Sequence, residues 1–317
     1  MADSLPLGLT WAAFWLHMLG EHVAVRRTGR PRSRLSRRRA LTFYAGLLAI
    51  AVSIATPIET LSKQLLWTHM IQHVLLLSVA APLIVLGAPW MSLWRPLPLA
   101  LRRALARAVV LSPRGAPFRS ACRLLSRPVV ALLLYSVNLL AWHLPALYDL
   151  ALRNTDVHAV EHLTFVGFGI LLWAQVIASP PFRPSLAYPG RVAYLVAAMI
   201  PNVALSMLLA FSRSPLYPFY AELAHRPGGI SAMTDQQIAA GIMWSFGDLP
   251  FAIAIVVLVV RWLSGPDEDA AGLPAAQPGY TEGVHAGGPP TDAPLSAPEL
   301  PIPASAATGT RAGWRLT

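Results

Sequence analysis

The stretch "THMIQHVLLLSVAAPLIVLGAP", residues 68–89, decides the fold class. It is apolar for most of its length, and it is long enough to cross a hydrocarbon core of about 30 Å as a helix. A helix satisfies its own backbone hydrogen bonds inside lipid, which an open sheet edge does not. The stretch also begins with His69 and His73, although polar side chains are costly in a membrane segment. The sequence therefore predicts a membrane helix whose two imidazoles need an explanation.

Composition extends this prediction to the whole chain of 317 residues, of which 55% are hydrophobic and 13% charged. The first apolar segment lacks the basic leader and small-residue cleavage site of a signal peptide, so we expect it to be retained. We predict an all-α polytopic membrane protein, with a bundle of about seven transmembrane helices as one domain over residues 1–263. The predicted spans are residues 6–24, 41–58, 65–88, 128–146, 158–179, 191–212 and 236–263.

Arginine placement predicts the orientation. Residues 25–40 contain eight arginines and residues 89–127 contain eight more. Short loops rich in Arg and Lys stay on the cytoplasmic side of a membrane. We therefore expect both segments to be cytoplasmic, the N-terminus to be outside and the C-terminus inside.

The net charge of +10 does not indicate nucleic acid, because most of the excess lies in those two segments. Their nearest partners are anionic headgroups of membrane lipid. Residues 264–317 are rich in Pro, Ala and Gly and almost free of large apolar residues. Such a segment cannot bury enough surface to fold, so we expect a disordered cytoplasmic tail.

A second histidine pair matches the first. His158 and His162 are also four positions apart and begin another predicted span that enters from the same side. Residues at i and i+4 lie on one helix face, so each pair directs both rings to one side. For a single pair, a hydrated rim of histidines bonded to carbonyls or headgroups is the simpler alternative. Matching spacing and depth favour four imidazoles that converge on a metal ion.

Other polar or soft side chains are predicted near the same end. Each has a structural alternative, such as helix capping for Asp235 or space filling for the methionines. We regard them as accessory or outer-sphere candidates: Gln72, His143, Asp149, Glu161, Met207, Asp235, Gln236 and Met243.

The donor types favour copper, with zinc as the second candidate. Imidazole and thioether suit these metals, whereas magnesium and calcium prefer oxygen. The sole cysteine, Cys122, lies in an Arg-rich segment away from the histidines. The sequence therefore has no cysteine pair for a thiolate site.

Two alternatives use the same residues. His158, Glu161 and His162 spell H-x-x-E-H, in which two histidines bind zinc and the glutamate serves as base, so an intramembrane metal-dependent hydrolase is one alternative. Glu161 would otherwise orient a ligating ring. A haem-binding redox protein is the other alternative, although four histidines at one depth would place haems too close together.

Four motifs together resemble a known family. "HMIQHVLLLSVAAPLIVLGAP", "WHLPALYDLALRN", "HAVEHLTFVGFGILLWAQVI" and "DQQIAAGIMW" resemble the CtaG-like assembly factors of caa3-type cytochrome c oxidase, over residues 41–263.

That resemblance implies a non-catalytic role in maturing the oxidase in the inner (cytoplasmic) membrane of a bacterial cell, with oxidase subunits as partners and copper delivery to its copper centres. It assigns His69 and His73 to H-M-x-Q-H, His158 and His162 to H-x-x-E-H, and Asp235, Gln236 and Gln237 to D-Q-Q. His17, Glu21, His22 and the Pro-rich tail have no counterpart in these motifs.

Overall fold

The computed structural model describes residues 4–29, 31–55 and 57–265, and these residues form helices with no extended strand among them. The predicted all-α class is confirmed. The helices are α1 (Ser4–Thr28), α2 (Arg34–Ile54), α3 (Ile58–Ser62), α4 (Leu66–Gly87), α5 (Trp90–Trp94), α6 (Leu99–Ala106), α7 (Ala116–Leu125), α8 (Pro128–Trp142), α9 (Pro145–Arg153), α10 (Thr155–Trp173), α11 (Tyr188–Phe211), α12 (Pro218–Ala221) and α13 (Ala232–Ser264).

Each predicted span falls mainly on one long helix: α1, α2, α4, α8, α10, α11 or α13. Three helices of the described residues, α4, α11 and α13, are both long and apolar enough to cross a membrane. A fourth crossing is added if residues 113–125 and 128–142, which are bent by 78° at their junction, count as one broken span. The chain is therefore a membrane protein by its apolar helices, whereas seven crossings and the orientation remain predictions.

Proline shortens one predicted segment. The segment 128–146 is helical only to Trp142, because Pro145 starts the new helix α9. A residue before proline is disfavoured in the helical conformation, and Leu144 is accordingly extended. The break turns the chain so that Tyr148 of α9 is buried in the core.

The segment 89–127, expected as a connection, contains the helices α5, α6 and α7. Both Arg-rich segments meet the same carboxylate: Glu21 lies 3.1 Å from Nε of Arg32 and 3.8 Å from a guanidinium nitrogen of Arg95. Ser92 of α5 also donates a hydrogen bond to Glu21. The two segments therefore lie at one end of the bundle, which we call the Arg end.

Close helix contacts hold α4 in the centre of the bundle. A Cβ atom added to Gly87 of α4 would lie 2.6 Å from Cβ of Phe43 on α2. A Cβ atom added to Gly169 of α10 would lie 2.8 Å from Cβ of Ala81 on α4. Small residues permit such approaches between membrane helices. The two glycines therefore fix α4 against α2 and α10.

Two π-turns interrupt the long helices, at Leu75–Ala80 in α4 and at Met243–Gly247 in α13. The side chain of Asn202 on α11 donates a hydrogen bond of 3.0 Å to the carbonyl of Met243. Single π-turns in helices often occur at functional sites. The predicted tail falls almost entirely on residues 266–317, which lie outside the described residues.

Candidate metal centre

The four predicted ligand histidines lie near the starts of α4 and α10, at what we call the His end of the bundle. The α4 helix connects this end to the Arg end. His69 and His158 are 0% and 1% exposed, and His73 and His162 are each 4% exposed. The ring centroids of His69 and His158 are 5.2 Å apart, and those of His73 and His162 are 6.3 Å apart. The two helices therefore bring the four rings into one buried cluster.

Glu161 lies between the two histidines of α4. Its carboxylate oxygens are 3.3 Å from Nε2 of His73 and 3.8 Å from Nε2 of His69. The two Nε2 atoms are themselves 2.9 Å apart. Glu161 is fully buried, and a buried carboxylate is unfavourable unless a cation or several donors balance it. The cluster therefore favours a positive charge beside Glu161.

One group within the cluster has the composition of a metal site. His69, His158 and Glu161 each offer one ligand atom, and these atoms all lie within 4.8 Å of one another. The three side chains come from α4 and α10, which pack against each other through the Leu75–Gly87 part of α4. Two imidazoles and one carboxylate are common ligands of first-row transition metals.

Hydrogen bonding fixes the tautomer of His69. The hydroxyl of Tyr220 donates to the carbonyl of Ser62, so it accepts at 3.3 Å from the protonated Nδ1 of His69. The Nε2 atom of His69 then carries the lone pair. A metal-bound histidine commonly donates its other ring N–H in this way, and Tyr220 holds the His69 ring with Nε2 on the side of Glu161.

Glu59 has the corresponding position beside His158. Its carboxylate lies 3.5 Å from Nδ1 of His158 and accepts a hydrogen bond of 2.8 Å from Nε2 of Gln72. Gln72 also donates a hydrogen bond of 2.7 Å to the carbonyl of Ser53. With Nδ1 facing a carboxylate, Nε2 of His158 is left for the cluster. Gln72 thus supports Glu59, and neither of these two hydrogen bonds joins it to a predicted ligand.

Unpartnered buried atoms test whether the residues fit a metal. Among the described residues, Nε2 of His158 and both carboxylate oxygens of Glu161 have no conventional hydrogen-bond partner. Buried polar atoms are rarely left without a partner. The donor set therefore fits a bound cation.

His162 has a different environment. Its ring centroid is 4.1 Å from that of His158, and its buried Nε2 atom has no hydrogen-bond partner among the described residues. The side chain also lines an apolar cavity of about 280 Å³ between α1, α2, α4 and α10. His162 therefore lies at the edge of the cluster, next to an apolar space.

The remaining soft candidates separate into two groups. His143 and Met243 are buried and line one small cavity beside His73. Met207 is 42% exposed on α11. The structure therefore brings His143 and Met243 to the cluster and leaves Met207 on the surface.

Two accessory candidates, Asp235 and Gln236, hold connections in place. Asp235 accepts backbone N–H bonds of 2.9 and 3.0 Å from Leu66 and Trp67 at the start of α4. Gln236 accepts a hydrogen bond of 2.7 Å from the N–H of Leu216 and donates one of 2.9 Å to the carbonyl of Leu209. These two side chains therefore fix the histidine-bearing helix and the connection after α11.

Asp149 lies on α9 and accepts a bond of 3.2 Å from the N–H of Phe219. Burial raises the pKa of Asp149 above its ordinary value, while the Phe219 N–H and the charge of Arg153 oppose that rise. Asp149 therefore joins α9 to the segment that begins α12.

Three tyrosines cover the cluster. Tyr148 has its ring centroid 5.0 Å from that of His69 and 4.1 Å from that of Tyr217. The hydroxyl of Tyr217 donates a hydrogen bond of 3.2 Å to the carbonyl of His143. Tyr217 and Tyr220 are each 2% exposed and belong to the connection 212–231 between α11 and α13. This connection therefore lies over the histidines.

The unmatched residues of α1 lie elsewhere. Glu21 joins the Arg-rich segments, and Nδ1 of His17 lies 2.9 Å from the hydroxyl of Tyr44 on α2. His22 is exposed. These residues belong to the Arg end, and their contacts describe helix packing.

A comparison with protein families gives the cluster its context. The sequence model described as "Cytochrome c oxidase caa3 assembly factor (Caa3_CtaG)" matches residues 12–264. This chain belongs to the Caa3_CtaG family. The match contains every predicted ligand and begins within α1, which the four sequence motifs did not cover. The resemblance inferred from the sequence is confirmed.

Curated relatives of this family member come from mycobacteria. The chain is 27% identical to the uncharacterized protein Mb0105 of Mycobacterium bovis and 27% identical to MT0111 of Mycobacterium tuberculosis, in each case over 71% of this chain and 34% of the relative. It is 25% identical to ML1998 of Mycobacterium leprae over 82% of this chain and 39% of that relative. The chain thus spans about a third of the length of these relatives. No solved structure matches.

Sequence reasoning on this Caa3_CtaG member missed Glu59 and Tyr220, which orient the two rings of the ligand group. Glu59 lies on the short helix α3 and Tyr220 on the short helix α12. A carboxylate just before a histidine-bearing span was a usable signal for Glu59. A tyrosine in a connection gave no such signal, because its position depends on the fold of that connection.

Proposed function

We propose that this chain binds copper as cargo at the His end and delivers it for maturation of the oxidase copper centres. The family role in oxidase assembly supports the process. The observation that carries the metal role is the buried group of His69, His158 and Glu161, whose ligand atoms lie within 4.8 Å of one another. Zinc is the second candidate metal.

The proposed ligands are His69, His73, His158 and His162, with the carboxylate of Glu161 beside them. Nitrogen-rich sites bind Cu(II) more tightly than Zn(II) in the usual order of divalent metals. The negative charge of Glu161 offsets part of the charge of a divalent ion. A copper ion is therefore preferred over zinc when both are supplied.

Glu161 is assigned to the ligand group and not to general-base catalysis. In the hydrolase alternative, His158 and His162 bind the metal together and the glutamate acts on water. The distances support Glu161 as a metal ligand, since the group whose ligand atoms lie within 4.8 Å of one another contains Glu161 and His69. The proposed role is therefore binding and transfer without turnover.

The proposed location is the bacterial cytoplasmic membrane, with the His end outward and the Arg end cytoplasmic. The two Arg-rich segments contact one carboxylate at one end of the bundle, which supports a common side for both. Oxidase subunits in the same membrane are the proposed partners, and anionic lipid is the proposed contact of the arginines.

Metal analysis of purified protein tests this proposal. The protein in detergent is loaded with Cu(II) without reductant, desalted and measured by mass spectrometry, in parallel with Zn(II). His69→Ala combined with His158→Ala is expected to abolish Cu(II) binding. His225→Ala removes an exposed histidine from the connection over the cluster and is the matched control. Unchanged Cu(II) in a folded double variant would contradict the proposal.

A further inference from the structure

A second set of metal donors lies on the other side of His73. A cavity of about 20 Å³ is lined by Met70, His73, His143 and Met243, with Tyr135 and Asn202 at its wall. Its lining includes none of the three residues of the carboxylate-containing group. A space of this size holds one water molecule or one ion. The cavity is therefore separate from the group around Glu161.

The tautomer of His73 follows from its neighbour. Nε2 of His69 carries a lone pair, because Nδ1 of His69 donates to Tyr220. The Nε2 atom of His73, at 2.9 Å, therefore donates its hydrogen to Nε2 of His69. The lone pair of His73 is then on Nδ1, which is buried and has no hydrogen-bond partner in the described part of the chain.

His143 offers the second imidazole. Its Nδ1 donates a hydrogen bond of 2.8 Å to the carbonyl of Leu139, so the lone pair of the ring is on Nε2. That Nε2 atom is also buried and without a hydrogen-bond partner in residues 4–29, 31–55 and 57–265. The ring centroids of His73 and His143 are 5.6 Å apart. Two available imidazole nitrogens thus belong to side chains that line one ion-sized cavity.

Two thioethers complete the lining. Met70 is fully buried one turn before the π-turn of α4, and Met243 is 3% exposed at the first position of the π-turn in α13. Thioether and imidazole donors suit Cu(I), and the absence of a carboxylate from this lining matches a monovalent ion.

We propose that Met70, His73, His143 and Met243 form a soft site for Cu(I), separate from the carboxylate-containing group and adjacent to it through His73. This inference rests on the proposed handling of copper and adds a second site to it. The two sets differ in chemistry: nitrogen and oxygen donors surround Glu161, and nitrogen and sulfur donors surround the cavity. The protein therefore offers distinct positions to the divalent and the monovalent ion.

Silver and cobalt distinguish the sites in the purified full-length protein. Ag(I) is a redox-inert probe for a soft monovalent site, and Co(II) probes the nitrogen and oxygen group by its visible absorption. Met70→Leu combined with Met243→Leu keeps side-chain volume nearly constant. We expect this double variant to lose Ag(I) affinity by about 10-fold or more and to retain its Co(II) spectrum. Met207→Leu, which changes an exposed methionine, is the matched control and should leave both unchanged.

X-ray absorption identifies the donors directly. Ag–S scattering is expected in the wild type and is expected to be lost in the double methionine variant. Unchanged Ag(I) affinity in that variant, or an Ag(I) site without sulfur, would overturn the inference. Glu161→Gln is expected to abolish the Co(II) spectrum while Ag(I) binding persists. A wild-type protein that binds Ag(I) through sulfur but does not bind Co(II) would contradict the proposed function and leave the soft site standing. A wild-type protein that binds Co(II) but binds Ag(I) without sulfur would contradict the soft site alone.

Discussion

Nε2 of His73 lies 2.9 Å from Nε2 of His69, one helical turn earlier on α4. Two nitrogen ligands on one tetrahedral metal ion, each at about 2.0–2.1 Å, would lie roughly 3.3 Å apart. The two Nε2 atoms are closer than two ligands of one ion, and they are joined by a hydrogen bond that Nε2 of His73 donates. An ion shared by both Nε2 atoms would require a small rotation of the side chains and transfer of the His73 proton to Nδ1.

The first prediction concerns topology. Residues 25–40 and 89–127 should lie in the cytoplasm and the His end outside, because arginines are retained on the cytoplasmic side. Cysteine labelling from each side of the membrane, at positions introduced into both segments and into the connection 212–231, measures this. Labelling of either Arg-rich segment from the outside would contradict the topology.

The second prediction concerns Glu161. Glu161→Gln should lower Cu(II) affinity by at least about 10-fold, since it removes the only carboxylate of the ligand group. Equilibrium competition with a chelator measures the change. Glu222→Gln alters a glutamate whose side chain is 71% exposed near the same end, and it should bind as the wild type does. Equal affinity for both variants would remove Glu161 from the site.

The third prediction is physiological. Cells in which His69→Ala and His73→Ala replace the wild-type residues should contain an oxidase that is deficient in copper and normal in haem. The measurement is metal and haem content of the purified oxidase, with the abundance of the variant checked in membranes. A copper-replete oxidase at normal abundance of the variant would show that the pair is structural.

The fourth prediction concerns helix packing. Gly87→Ala should destabilise the protein by about 1–3 kcal/mol, because the new methyl group overlaps Phe43 and overpacking forces the helices apart. Gly167→Ala on α10 adds a methyl group to open space and should stabilise by about 0.5–1 kcal/mol through lower backbone entropy. Thermal unfolding in detergent compares the two. A stabilised Gly87→Ala variant would refute close contact of α4 with α2.

The long helices were predictable because apolar length and helix periodicity encode them locally. The histidine pairs were predictable for the same reason: spacing of four residues and entry from one side place His69 and His158 at one depth without knowledge of the fold. The position of Glu161 between the α4 histidines needed the packing angle of two helices, which the sequence does not contain.

Other features depend on contacts that are distant in sequence. Met70 reads as an ordinary core residue in an apolar run, and only its place beside His143 gives it a chemical role. Met207 looked equivalent to Met243 in the sequence, yet α11 turns it outward. The break before Pro145 could have been predicted, because the residue before a proline resists the helical conformation. The predicted span 128–146 nevertheless ran through it.

The tyrosines of the connection 212–231 would affect how long an ion stays bound more than how tightly it binds. Tyr220 is hydrogen-bonded to His69 and to the backbone of Ser62, and Tyr217 is hydrogen-bonded to the backbone of His143. If the chain binds an ion as proposed, the ion would leave past these side chains only when the connection opens, so its dwell time would be set by a conformational step. A partner that pulls on this connection would release the ion on contact, and the protein would hold it securely until then.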